Sequence, residues 1–343
     1  MSSFNFISAQ ILQSEDFNAL NVGNIGTDFT GVTAGQGGWF TAASNGTAPT
    51  TSNNAGNTNF QIVSSGNISS NGLLLNGPNG DKGNRFMWKD GLGASWASRT
   101  SGNNIIELEV DINPGTRGTS VNRLGLRIYD PTGARTLAGF QVNSATGEIF
   151  LVAYSTPSGN PVGNYSYSLA AAPGIQLPEN TWSRVGVSYN KTTGVVLIKG
   201  PGIPANTGVN SSSINTDPDE VDFVVVSGNT ATVPNTVSGS MTFDNLIVKA
   251  SNTDTLLTNQ LFNSTNISYV IHPNPVVDFI EISNLTAEVK KITISDINGR
   301  IVKVCSSDEV LNLRLNLQDL NSGVYLMVID TNEGVTSQKI IKN

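Results

Sequence analysis

The chain has 343 residues, of which 13% are charged and 38% hydrophobic, and its formal net charge is −7. That length is expected to hold two domains, a large one of about 250 residues and a small tail, with apolar content sufficient for packed cores and too high for wholesale disorder. The acidic balance argues against nucleic acid or an anionic membrane surface as partner, and no apolar run approaches the roughly eighteen residues that span a bilayer; one cysteine (Cys305) and one histidine (His272) leave no internal disulfide, no histidine-based triad beyond that residue and few zinc sites.

Met1–Ala9 lacks the basic start and continuous apolar stretch of a signal peptide, yet Ile7-Ser8-Ala9 before Gln10 reads like the end of a cleavage site. Residues 1–9 are therefore expected to be the remnant of a longer signal. Residues 10–250 read as one all-β domain of short strands and glycine-containing turns, with no helical period. Thr33 to Asn84, rich in Gly, Asn, Ser and Thr, is expected to be mostly surface loop. Trp39, Trp88 and Trp96 fall in or beside such loops, near Asn79, Asp81 and Asn84. A ring face with short polar groups beside it suits a sugar, so these six are the candidate ligand-binding residues. Plugging the ends of the domain is the other role open to the tryptophans.

Further along, Ile106, Leu108, Val110 and Ile112 alternate with Glu107, Glu109 and Asp111, so the three acids share one strand face. Such a trio invites a reading as glycan-cleaving carboxylates. However, Leu124, Leu126 and Ile128 alternate with Arg123 and Arg127 on the next strand, and antiparallel pairing of the two would set opposite charges against each other. Arginine neighbours lower carboxyl pKa values, the wrong direction for a general acid. The expectation is a solvated or salt-bridged ladder with no catalytic residue, the three acids being kept as the enzymatic alternative.

Asn180-Thr181-Trp182-Ser183-Arg184-Val185-Gly186-Val187-Ser188-Tyr189-Asn190, running on to Gly194-Val195-Val196, resembles the central hairpin of laminin-G-like, concanavalin-A-like jelly rolls, and Gly239 to Val248 resembles their closing strand. The resemblance implies an N-terminal jelly-roll sandwich. In some jelly rolls, acidic sites on adjacent first and last strands hold a structural calcium, which makes Glu15, Asp16 and Asp244 the candidate metal ligands, with a solvated carboxylate cluster as the plainer alternative. The acidic strand is similar to the Glu-x-Asp-x-Glu motif of a glycosidase family of this fold but departs from it, reading Glu-x-Glu-x-Asp.

Residues 251–270 are expected to be a linker. Within it Asp254-Thr255-Leu256 matches an Asp-Thr/Ser-aliphatic O-glycosylation pattern, with Thr255 as the acceptor. Residues 271–343 open on His272-Pro273-Asn274-Pro275 and continue as short strands. Asn298-Gly299 marks a hairpin turn, and Leu311, Leu313, Leu315 and Leu317 alternate with polar residues. Gly323-Val324-Tyr325 begins another strand, and the chain closes on Lys339-Ile340-Ile341-Lys342-Asn343. The reading is a small immunoglobulin-like β-sandwich.

These motifs, in this order, resemble the type A C-terminal sorting domain of the type IX secretion system of Bacteroidetes-type bacteria. The resemblance implies export to the cell surface through a translocon, a shuttle barrel and a sortase. It also makes His272, Pro273, Asn274, Pro275, Gly299, Gly323, Val324, Tyr325, Lys339 and Lys342 the sorting-signal residues. His272 departs from the tyrosine often found at that place. The expected whole is a secreted or surface β-protein whose first domain binds a glycan or another surface ligand. A glycan-degrading hydrolase or lyase and a purely structural or adhesive protein are the alternatives.

Overall fold

The computed structural model describes residues 9–48, 50–67, 71–228, 233–257, 270–283, 289–296, 300–306, 314–331 and 334–343. Most of the signal remnant (residues 1–8) and Gly299 lie outside these. The chain divides into two compact units, Met1–Thr258 and Asn259–Asn343, each taken by itself below.

Unit one is a jelly-roll-like sandwich of two antiparallel sheets. The nine-stranded sheet runs β14 (Gly208–Asn210), β13 (Val195–Lys199), β12 (Ser183–Asn190), β7 (Ile105–Asn113), β16 (Ser240–Ser251), β5 (Gly72–Asn76), β4 (Phe60–Val63) and β2 (Gly23–Asn24), and β1 (Gln10–Glu15) also pairs with β16. The seven-stranded sheet runs β11 (Gly163–Ser168), β10 (Ile149–Ser155), β9 (Thr136–Asn143), β8 (Arg123–Tyr129), β15 (Glu220–Val226), β6 (Asn84–Trp88) and β3 (Phe40–Ala43). The alternating apolar residues fill the space between them: Leu108, Val110 and Ile112 from β7 and Leu124, Leu126 and Ile128 from β8 are fully buried in one core. Each such side chain contributes roughly 1.5–3 kcal/mol, which is what fixes the register of both strands.

The hairpin read around Trp182 is β12–β13, closed by Gly194 at φ 76°. First and last strands do lie side by side, as β1 against β16. Thr33–Asn84 is not the long loop expected. It supplies β3, β4 and β5, whose Phe60, Ile62, Leu73 and Leu75 are core residues. One short helix, α1 (Leu92–Ala97), also escapes the periodic reading. Among the described residues no helix is long and apolar enough to cross a membrane.

Unit two is an immunoglobulin-like sandwich. A three-stranded sheet of β17 (Val270–His272), β18 (Phe279–Ser283) and β21 (Arg314–Asn316) accompanies a four-stranded sheet of β20 (Ile301–Ser306), β19 (Val289–Asp296), β22 (Gly323–Thr331) and β23 (Gly334–Lys342). Its core includes Val276, Ile280, Ile292, Leu315, Leu317, Met327, Ile329 and Ile340, with Cys305 as a small buried member. Leu311 and Leu313 of the leucine series lie outside the described residues.

Candidate functional site

The acidic strand β7 sits between β12 and β16, whereas Arg123 and Arg127 are on β8 in the other sheet. The expected pairing with those arginines is therefore corrected. Lys249 of β16 lies 3.1 Å from Glu107 Oε2 and 2.7 Å from Glu109 Oε1, and Arg184 of β12 lies 3.1 Å from Asp111 Oδ1 and 3.5 Å from Glu109 Oε2. Nor is this face solvated. Residues 251–257 fold back over it as a strap: Thr255 N and Ser251 Oγ donate to Glu107 Oε1, Thr255 Oγ1 to Glu107 Oε2, and Leu257 N to Glu109 Oε1. Leu256 is fully buried above Gly186, where an added Cβ would come within 2.6 Å of Leu256 Cδ1.

Glu107 thus has both oxygens occupied beneath a cover, Glu109 is held by Lys249, Arg184 and the strap, and Asp111 by Arg184, Asn67 and Asn245. This corrects the catalytic alternative for all three: carboxylate oxygens already committed to neighbours are not free to exchange a proton with substrate. The domain boundary moves as well, since 251–257 belong to unit one rather than to a free linker. Thr255, expected as an exposed glycosylation acceptor, instead donates its hydroxyl to a buried carboxylate.

The carboxylates considered for calcium do not converge. Glu15 turns inward, accepting from Phe17 N and, at 3.0 Å, from Trp39 Nε1. Asp16 is exposed and caps Asn18 N. Asp244 accepts from Asn67 N and Asn245 N, beside Asp111. Each carboxylate already serves its own neighbours, and among the described residues no group of three or more acidic, histidine or cysteine side chains is placed to hold a metal.

The tryptophans divide. Trp39 is fully buried, 5.7 Å from Phe223 in an edge-to-face contact, and Trp96 of α1 is 2% exposed with Nε1 donating to Asp217. Both are core plugs, so their assignment as ligand-facing residues is corrected: indole N–H groups met by Glu15 and Asp217 let the rings bury completely. Asp81 is buried and Asn79 exposed in the loop between β5 and β6. Trp88 and Asn84 are different, for β6 points both at the face of the seven-stranded sheet turned away from the core.

That open face holds an ordered row. By strand register, Gly139 of β9, Arg127 of β8, Asp222 of β15, Trp88 of β6 and Phe40 of β3 are successive neighbours. Trp88 and Phe40 stack with centroids 5.6 Å apart and planes at 15°. Gly139 is required beside Arg127, since a Cβ there would meet Leu126 O at 2.7 Å and Arg127 Cγ at 3.0 Å. Arg127 donates to Tyr129 OH at 3.4 Å and to Gln141 Oε1 at 3.3 Å, and Gln141 Nε2 donates to Ser166 Oγ at 2.7 Å.

One edge of the Trp88 ring is covered by the loop at Gly31, where an added Cβ would approach Trp88 Cη2 to 2.8 Å. Asp28 shapes that loop by accepting from the Thr30 hydroxyl and from the N–H groups of Thr30, Val32 and Thr33. Those hydrogen bonds, the Thr30 hydroxyl first, hold its carboxyl well below the usual range.

Asp222 is 6% exposed, and its Oδ1 has no hydrogen-bond partner. Burial, reinforced by the charge of neighbouring Glu220, pushes its carboxyl up to about 9, against a smaller opposing effect of Arg127. Glu220 is raised too, chiefly by burial. Tyr129 is raised by burial as well. This face therefore presents a protonated acid at neutral pH beside a guanidinium and an aromatic platform. Sequence reading missed Arg127 as a site residue and missed Asp222 altogether, although Glu220-Val221-Asp222-Phe223 carries the alternation that would have placed both acids on one face.

In unit two the sorting-signal motifs at the start and end of the tail meet. Asn274 Nδ2 donates to Lys339 O at 2.8 Å while Asn274 Oδ1 accepts from Ile341 N at 2.9 Å. Val276 N donates to Ile341 O and Asn343 N to Val276 O, so the chain after Pro275 runs parallel to the last strand. His272 lies in β17, Pro273 follows it, and Tyr325 OH donates to Asn321 O at 2.8 Å. Gly323 and Val324 begin β22, paired with Lys342 and Ile341.

Residues 270–343 match the family of secretion system C-terminal sorting domains. The tail is a type IX sorting domain, and it marks the chain for secretion and attachment at the cell surface. No curated protein matches the sequence. Similar solved structures include the cellulose induced protein Cip1 (13% identity, 70% of this chain and 97% of that one, TM-score 0.42) and the marine PL-14 alginate lyase from Aplysia kurodai (10% identity, 71% and 100%, TM-score 0.44). Another is domain 4 of the GH43 arabinanase AbnA from Geobacillus stearothermophilus, in complex with arabinotriose (14% identity, 70% and 94%, TM-score 0.36).

Proposed function

We propose that this chain, a type IX secretion substrate by virtue of residues 270–343, is a surface glycan-binding protein whose ligand lies across the open face of the seven-stranded sheet. Its partners in transit are the translocon, the shuttle barrel and a sortase. The single observation that carries the binding reading is the row Arg127–Asp222–Trp88–Phe40. A sugar offers an apolar C–H face and a rim of hydroxyls, and the row offers a stacked ring platform with the Asp222 carboxyl one strand away and the Arg127 donor two. Strand spacing puts Arg127 and Trp88 roughly 10 Å apart, a reach suited to neighbouring units of a saccharide chain.

A glycan-array screen of the full chain tests this. Trp88→Ala is expected to lose about tenfold or more in affinity for any hit, since a stacked ring contributes on the order of 1–3 kcal/mol, with only a modest change in melting temperature. Trp39→Ala and Trp96→Ala are expected to cost about 3–5 kcal/mol of stability instead, because each empties a volume in the core. Binding by Trp88→Ala at wild-type strength would remove this face from consideration, and absence of any glycan ligand would leave the structural or adhesive reading.

Cleavage at the same face is the second reading, favoured by one observation: Asp222 Oδ1 has no hydrogen-bond partner, and burial raises its carboxyl, the direction a general acid needs. An assay for new reducing or unsaturated chain ends decides it.

A further inference from the structure

The open face carries arginines that no carboxylate among the described residues meets at ion-pair distance. The protein is acidic, at −7, and its other arginines are engaged: Arg117, Arg184, Arg300 and Arg314 in ion pairs, Arg85 and Arg99 on backbone carbonyls. Arg123, Arg127 and Arg135 are not. Among the described residues none of the three has a carboxylate within 4.0 Å, and all three face the same side of the seven-stranded sheet.

Two of them lie against aromatic rings, which restrains the guanidinium without neutralising its charge. Arg123 is 4.5 Å from the Phe150 centroid and Arg135 is 5.3 Å from that of Tyr154. Arg123 Nε is buried without an acceptor. Arg127 has only neutral acceptors, both beyond 3.2 Å. Arg123 and Arg127 are four residues apart on one strand, so they are separated by roughly 13 Å along it. Such a file of planar, bidentate donors beside a sugar platform matches an extended chain that carries carboxylates at intervals.

We infer that the ligand of this face is an acidic polysaccharide built of uronate units, and that Arg127 is the residue that selects it over a neutral glycan. This rests on the glycan-binding reading above and deepens it. Asp222 supports the assignment without carrying it: held neutral by burial, it leaves the charge of Arg127 uncompensated and can donate to an incoming carboxylate. The opposing charges on or near the face are Glu220, Glu148, Asp90 and Asp219.

The test is titration of the full chain with oligogalacturonate, with its fully methyl-esterified form, and with a sulfated galactan oligomer. Oligogalacturonate is expected to bind at least tenfold more tightly than the ester, in which each carboxylate is replaced by an uncharged methyl ester, and to weaken steeply between low and high salt. Arg127→Gln should abolish that preference and weaken the ester by a smaller factor, the hydrogen bond to a neutral acceptor being the lesser of the two. Arg135→Gln, at an exposed turn, provides a second variant that does not endanger folding and should reduce the preference in part. Equal affinity for acid and ester overturns the inference and leaves glycan binding standing. Tighter binding of the sulfated oligomer overturns the carboxylate assignment. Binding of none of the three, with none in a neutral-glycan screen, removes both readings together.

Discussion

Lys249→Met is expected to destabilise unit one by about 3–5 kcal/mol, the loss that follows when one partner of a buried ion pair is removed and its counter-charge stays behind. Lys249 is the cation that reaches both Glu107 and Glu109, at 3.1 and 2.7 Å, and Glu107 has no exposed surface. Urea denaturation of the full chain measures the loss. Hydrogen exchange supplies a local readout, since the amides of Thr255 and Leu257 donate to these two glutamates and should lose protection first. Adding Glu107→Gln and Glu109→Gln to the lysine variant should restore part of the stability, because neutral amides leave no buried charge unpaired. A loss below about 1 kcal/mol would mean that the cluster behaves as an exposed surface pair and that the strap does not exclude water.

Asp222→Asn is expected to change how stability depends on pH. The folded-state pKa of Asp222 is raised from 3.8 to about 9, mainly by burial. An acid with a raised folded pKa keeps a proton that the unfolded chain has already released, so its contribution is fully present below about pH 4 and is lost as pH rises towards 9. The fall is at most about 1.4 kcal/mol per pH unit for one proton, and it levels off above the folded value. Asparagine keeps the neutral shape and has no proton to lose. The variant should therefore match the wild type near pH 4 and exceed it by a margin that widens through pH 8. Glu220 shares the site and titrates with it, so the double variant Glu220→Gln, Asp222→Asn should be the flattest of all. Parallel pH profiles for wild type and Asp222→Asn would show that the carboxyl is ionised in the folded protein.

Sequence alone determined the features that depend on neighbours in the chain. Alternation placed Leu108, Val110 and Ile112 inward and Glu107, Glu109 and Asp111 outward, because side-chain period in a strand is a local property. The hairpin closed by Gly194 and the tail's ordered motifs were legible for the same reason, and the tail alone said where the protein goes. Which strands lie together is a different matter, since pairing joins residues far apart in the chain and alternation is silent about the partner. Arg123 and Arg127 were matched with the wrong acids because consecutive strands β7 and β8 belong to different sheets. Thr33–Asn84 hid three strands among polar residues, each too short to show a period. A tryptophan in a loop carries no mark of its destination: Glu15 and Asp217 took the indole N–H groups of Trp39 and Trp96 and made them core, while register with Asp222 put Trp88 on the open face. The meeting of Arg127, Asp222, Trp88 and Phe40 exists only through strand pairing across the sheet, which the tertiary fold alone decides.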